Sequence, residues 1–167
     1  MKTLPLLTLT VLCGLFAAVN SATAQGLAYT TNTYSVGNGP QIAVADVNGD
    51  GRLDLITANV NTNTLTVLTN NGNGGFGFYA TFQVGNGPQG VWAADLNGDG
   101  KLELITPNWT DKSLTVLTNN GRGVFGLNAT VNVGARPNGF AVADINGHGK
   151  MALISVNAIY PRINNST

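Results

Sequence analysis

Seven of the eight Asp and Glu residues in this sequence fall in three short loops: Asp46, Asp50 and Asp54 in the first, Asp95, Asp99 and Glu103 in the second, and Asp144 in the third. Carboxylates drawn into one short loop repel each other unless a cation sits among them. Their spacing is that of a loop that wraps a hard cation. With Asp46 at position one, Asn48 stands at three, Asp50 at five, Gly51 at six and Asp54 at nine. Side-chain oxygens at one, three, five and nine, with the main-chain carbonyl of Arg52 at seven, form a donor set of the kind that holds Ca2+. The second loop repeats it with Asp95, Asn97, Asp99, the carbonyl of Lys101, and Glu103. An all-oxygen set favours calcium over zinc or copper, so two calcium ions are expected. The third loop departs from the pattern: His148 replaces the acid at five and Ala152 the acid at nine. Asp144 and Asn146 remain as a weak third metal loop, expected to be empty. Asn-Gly-Asp-Gly alone would serve as a polar turn, but a turn has no need of the acid at position nine. Position twelve is Thr57 or Thr106 and the flanks read as strand, which excludes a helix-loop-helix calcium site.

The other chemistry-bearing residues are few. His148 is the one histidine and Cys13 the one cysteine. Neither has an evident nucleophile or base beside it, and paired carboxylates for sugar cleavage would have to be borrowed from the metal loops. No catalytic residue is expected. Trp109 stands where its repeat-mates are Val60 and Ala158, and Trp92 where they are Ala43 and Ala141. A tryptophan outside the repeat pattern suits stacking on a sugar ring, with Asp111 beside Trp109 as a polar partner, or filling space between packed units.

The elements that must position the loops recur as well. Asp46-Val47-Asn48-Gly49-Asp50-Gly51 returns at Asp95 and at Asp144, each 49 residues on, and Val67-Leu68-Thr69-Asn70-Asn71-Gly72 returns at Val116 with the same period. Val36-Gly37-Asn38-Gly39-Pro40 returns at Val84, and in weaker form at Val133. Blocks repeated in one order at a spacing of 48 or 49 residues mark a repeat architecture. Each unit predicts four short strands: Ile42 to Ala45, Leu53 to Thr57, Leu65 to Thr69, and one that starts at Phe76 and ends near Val84. The matching runs follow at Val91, Leu102, Leu114 and Phe125, and then at Phe140 and Met151. Four strands per repeat of this length is the pattern of a propeller blade. The fold class is therefore all-β, with tandem four-stranded blade repeats making a partial propeller of about three blades. A strand over 26–37 precedes repeats at 38–85 and 86–134 and a partial one at 135–160, within a domain spanning 25–160, and 161–167 forms a tail. The first strand could supply the outer strand that the last repeat lacks. About eleven strands are too few to close a ring, so self-association is expected.

Residues 1–24 read as a signal peptide. Lys2 precedes an apolar run over 4–19, and Ala22-Thr23-Ala24 places small residues ahead of a cleavage before Gln25. That run is short for a membrane anchor, and no later segment is apolar enough to span a bilayer. Cleavage would remove Cys13, leaving no cysteine for a disulfide. A secreted domain without disulfides needs another staple, and a metal is the usual substitute. With charged residues at 10% and a formal net charge of +0, a nucleic-acid binder is excluded. Sequons stand at Asn108, Asn128, Asn164 and Asn165.

The loop Asp46 to Asp54, set between strands and followed by Asn71-Gly72-Asn73-Gly74-Gly75-Phe76, resembles the FG-GAP or VCBS-type repeat, and the resemblance covers nearly all of 26–158. It implies calcium-bearing blades like those of the integrin α-subunit propeller, in a secreted or cell-surface protein. The implied role is non-enzymatic, in adhesion or scaffolding, with an extracellular protein or carbohydrate ligand. The alternatives are a carbohydrate-binding module, or a fragment accessory to a secreted glycan-active enzyme.

Overall fold

The computed structural model describes residues 8–15, 28–36 and 41–158. Among them the chain is all-β, with twelve strands and no helix. Among the described residues no helix is long and apolar enough to cross a membrane. Strands β1 (Thr8–Leu15) and β2 (Ala28–Ser35) form an antiparallel pair. Of the leader expected over 1–24, only Thr8–Leu15 is described. The cleavage site before Gln25, the tail 161–167 and the sequons at Asn164 and Asn165 lie outside the described residues.

Two four-stranded antiparallel meanders follow. The first blade is β3 (Ile42–Ala45), β4 (Asp54–Asn59), β5 (Thr64–Asn70) and β6 (Phe76–Gln83). The second is β7 (Trp92–Ala94), β8 (Glu103–Asn108), β9 (Ser113–Asn119) and β10 (Phe125–Asn132). The third blade has β11 (Arg136–Ala143) and β12 (Ala152–Ala158). These are the blades that the repeat predicts, in an arrangement that does not close. The first segment does not complete the last blade: β2 pairs with β1, and among the described residues β12 has β11 alone as its partner.

Within a blade the register sorts side chains onto two faces. In the first, Ala43, Ile56 and Val67 stand opposite one another, as do Val44, Leu55 and Leu68. The former set, with Ala58 and Leu65, is called here the forward face, and the latter the back face. Ile56, Ala58, Leu65 and Val67 of the first blade pack into one core with Val91, Leu104 and Leu117 from the back face of the second. Each large aliphatic side chain removed from water here contributes about 1.5–3 kcal/mol. Because each middle strand is covered on both faces, β4 and β8 are buried at every position, while the outer strands β6 and β10 are largely exposed. The second and third blades meet in the same sense. Trp92 on the forward side of β7 lies edge-on to Phe140 of β11, with ring centroids 4.8 Å apart.

A polar ladder runs through the buried back faces. Asn59 donates through Nδ2 to the hydroxyls of Thr64 (3.0 Å) and Thr66 (2.8 Å), and Asn108 does the same to Ser113 (3.0 Å) and Thr115 (2.8 Å). Their mate Asn157 donates to the Val133 carbonyl at 3.1 Å. Asn108 is fully buried, so the sequon there is closed in the folded protein, whereas Asn128 is exposed.

Candidate metal centre

Each acidic loop joins the first two strands of a blade and is shaped by its position-one carboxylate. Asp46 Oδ1 accepts the amide of Gly49 at 2.8 Å, and its Oδ2 that of Gly51 at 2.8 Å. Asp95 accepts from Gly98 (2.7 Å) and Gly100 (2.8 Å) in the same way. Asp144 accepts from His148 at 3.2 Å and Gly149 at 2.7 Å. The turn needs left-handed backbone at Gly49 (φ 77°) and Gly51 (φ 81°), which glycine adopts without strain. Position three caps position five: Asn48 Oδ1 accepts the Asp50 amide at 3.0 Å and Asn97 Oδ1 the Asp99 amide at 2.8 Å. Asp50 and Asp99 then accept the amides of Arg52 and Lys101, both at 2.9 Å, which brings position seven onto the loop. The Arg52 and Lys101 side chains fold back on the same carboxylates, each at 3.3 Å.

Position nine is different in kind. Asp54 and Glu103 are buried at the first residues of β4 and β8. Asp54 Oδ2 accepts the Val47 amide at 3.2 Å and Oδ1 the Asn70 amide at 2.9 Å. Burial pushes its carboxyl above the usual range, and the negative fields of Asp50 and Asp46 push the same way against those two amides. Glu103 Oε2 accepts the Leu96 amide at 2.9 Å, while its buried Oε1 has no hydrogen-bond partner. A buried acceptor without a donor is costly unless something positive faces it.

The third loop serves as an internal comparison. It makes the same turn with His148 at five and Ala152 at nine, and its amides, that of Gly149 foremost, hold the Asp144 carboxyl below the usual range. The acids at five and nine in the other two loops are therefore not required by the turn. The crowding of negative charge on Asp54 and the unpartnered Glu103 Oε1 both fit a hard cation bound by oxygen. Among the described residues no three His, Cys, Asp or Glu side chains form a ready cage. An ion held here would also draw on Asn48 or Asn97 and on the carbonyl of Arg52 or Lys101.

The first loop also touches the next blade. Asn119, at the end of β9, donates through Nδ2 to the Val47 carbonyl at 2.8 Å and to the Leu102 carbonyl of its own blade at 3.2 Å. A Cβ on Gly49 would lie 3.2 Å from the Gly121 carbonyl oxygen. A cleft of about 80 Å3 lies between Asp46 and Gly49, Gly100 and Lys101, and Asn119 and Gly121.

Residues 46–106 match the FG-GAP-like repeat. The matched stretch takes in both loops that have the full donor set and stops before the third. Comparison of the chain with curated proteins gives no match. The blades place the remaining candidate residues away from the loops, on the β8–β9 turn. The Arg136 guanidinium lies 5.5 Å from the centre of the Trp109 ring. Asp111 accepts from Asn86 through the amide (2.7 Å) and Nδ2 (2.9 Å), which holds its carboxyl below the usual range. Trp109 thus meets the first residue of β11, and Asp111 the connection between the first and second blades. The residues that sequence reasoning missed are Asn119 and the Asn59, Asn108 and Asn157 ladder. The 49-residue recurrence of Asn at these positions was the available signal.

Proposed function

We propose that the chain is a secreted, calcium-stabilised binding or scaffold module, non-enzymatic, in which two ions staple the hairpins that begin the first and second blades. The first ion would be held by Asp46, Asn48, Asp50, the Arg52 carbonyl and Asp54. The second would be held by Asp95, Asn97, Asp99, the Lys101 carbonyl and Glu103. Their role is structural, since a cation at either loop offsets carboxylate repulsion and ties the loop to the buried start of the second strand. The observation that carries this reading is the third loop, which keeps the turn without the acids at five and nine, while the first two loops retain both. The repeat, the apolar segment over 4–19 and the absence of any cysteine after Cys13 support an extracellular place of work, with an adhesion-type role toward a protein or carbohydrate ligand.

Calcium binds the folded loop and not the unfolded chain, so it raises the melting temperature in a concentration-dependent way. Calorimetry is expected to give two ions per chain, with Asp50→Ala and Asp99→Ala each removing one and leaving the other. Identical melting in calcium and in chelator, with no heat of binding, would show that the loops are turns only.

A further inference from the structure

We infer that β1–β2 and β11–β12 are the outer and inner halves of one blade, and that the halves meet between two copies of the chain, β12 of one pairing edge to edge with β1 of the other. Thr8-Leu9-Thr10-Val11-Leu12 repeats Thr64-Leu65-Thr66-Val67-Leu68 residue for residue, and Ser113-Leu114-Thr115-Val116-Leu117 in all but its first residue. Those runs are the third strands of the two complete blades. The register agrees. β1 sets Thr8, Leu9, Thr10 and Val11 opposite Ser35, Tyr34, Thr33 and Asn32. β5 sets Thr64, Leu65, Thr66 and Val67 opposite Gln83, Phe82, Thr81 and Ala80, each 48 residues further along than its mate on β2. β2 also sits on the blade that follows it as an outer strand does. Tyr34 lies edge-on to Phe76 with ring centroids 5.7 Å apart, just as its mate Phe82 lies edge-on to Phe125 at 5.2 Å. β1 and β2 are therefore strands three and four of a blade that precedes the first.

β11 and β12 are strands one and two of the third blade, and among the described residues neither β12 nor β1 has a partner on its other edge. An open strand edge invites pairing. The two halves lie at opposite ends of one chain with two complete blades between them, so they complete each other between copies. The register of the complete blades then sets Leu153, Ile154, Ser155, Val156 and Asn157 opposite Leu12, Val11, Thr10, Leu9 and Thr8 of the second copy. That strand supplies what the third blade lacks. Asn59 donates to Thr64 and Thr66, and Asn108 to Ser113 and Thr115, all on strand three, whereas Asn157 donates to a main-chain carbonyl. Thr8 and Thr10 stand at the matching positions of β1. Exposure agrees at both ends. Ile154 is 41% and Val156 64% exposed, while Ile56 and Ile105, the mates of Ile154, are 0%. The back face of the first blade is buried at Leu55 and Leu68 but open at Ile42 and Val44 of its innermost strand, which is the strip an inner half-blade would cover. An unrelated strand has no reason to carry the third-strand motif, whereas every copy of this chain carries it. Each chain offers one half of each kind, so two copies satisfy each other, and three blades apiece fall within the four to eight of a closed propeller. The inference keeps 8–15 in the working chain, in place of the removal before Gln25 expected from the small residues there, and it is independent of the calcium reading.

Light scattering on the full chain is expected to give a species of two chains, and Val156→Asp to give monomers. Intact mass of the two-chain species should show that 8–15 is retained. The register is tested through Cys13, which falls opposite Ala152 when the pairing is extended by one residue. With a short bis-maleimide, Ala152→Cys should cross-link to Cys13 of the second copy and run as two chains on a denaturing gel. The wild type and the double variant Ala152→Cys with Cys13→Ser should not. A wild type that stays monomeric, an assembled species that begins at Gln25, or assembly unchanged by Val156→Asp would each overturn the proposal. So would a cross-link within one chain, or an assembled Ala152→Cys chain that gives no cross-link. Val156 is exposed in the single chain, so its variant should keep the strand spectrum. Should it lose it, Ile154→Thr with Val156→Thr takes its place, which keeps β propensity and still removes apolar surface.

Discussion

Replacing Asn119 with Ala should destabilise the chain more than the same change at its repeat-mate Asn70, because the two differ by one bond to a neighbouring blade. Asn70 Nδ2 donates to the Leu53 carbonyl at 3.1 Å and its Oδ1 accepts the Gly72 amide at 2.9 Å, both within the first blade. Asn119 makes the equivalent bonds to Leu102 (3.2 Å) and Gly121 (2.9 Å), and adds the 2.8 Å bond to the Val47 carbonyl. Each hydrogen bond contributes a net ~1 kcal/mol, and a buried group left without its partner forfeits more. Asn119 is buried and Asn70 only half-buried, so water can replace what Asn70 loses. The expected cost is about 3 kcal/mol for Asn119→Ala and about 1 kcal/mol for Asn70→Ala. In a chain of this size that corresponds to melting-point losses of roughly 6–12 °C and 2–4 °C. Urea unfolding of the two variants side by side measures the difference. If Asn119→Ala is no more destabilising than Asn70→Ala, the bond to Val47 does not couple the blades and the loop merely lies against its neighbour.

Three further outcomes are expected. A Cβ on Gly85 would lie 2.5 Å from Nδ2 of the buried Asn108, so Gly85→Ala should cost about 1–3 kcal/mol. Gly126, with nothing near its would-be Cβ, should tolerate Ala with a change within about 0.5 kcal/mol, and thermal melts of the pair decide this. The folded-state pKa of Asp111 is depressed by Asn86, so its contribution is present above the ordinary value of 3.8 and is lost as pH falls through the lower folded value. Asp111→Asn should be less stable than wild type at neutral pH, and the two melting curves should converge in acid. His148→Asp combined with Ala152→Glu should raise the calorimetric stoichiometry from two ions to three, since the rest of the third loop already makes the turn.

Much of this architecture was legible because its repeat is about 49 residues long and carries recurring Gly, Asn and Asp punctuation. Ile42–Ala45 was read with its observed bounds, and the third strands to within a residue. The second strands begin one residue late, at Asp54, Glu103 and Ala152, because the residue before each still belongs to the loop. They also run further than predicted, to Asn59 and Asn108, whose side chains turn inward onto Thr and Ser hydroxyls. β11 starts at Arg136 rather than Phe140, since a bulge between Pro137 and Gly139 lets pairing with β12 continue past the proline. Position nine was readable as an acid, but its burial was not, for the sequence does not say which neighbour covers it. Trp109 and Asp111 stood out as departures from the repeat. Their engagement by Arg136 and Asn86 depends on how successive blades are joined, which no single-repeat pattern encodes.

The burial of Asn108 sets folding against modification. In a secretory pathway that glycosylates, the Asn108-Trp109-Thr110 sequon is available only while the hairpin of β8 and β9 is open. A sugar on Nδ2 would displace the Ser113 and Thr115 hydroxyls from a site with no room for it. Once the hairpin closes, the transferase has no access. The fraction of chains that mature is then set by a race between hairpin closure and glycan transfer, and the choice of expression host becomes a determinant of yield.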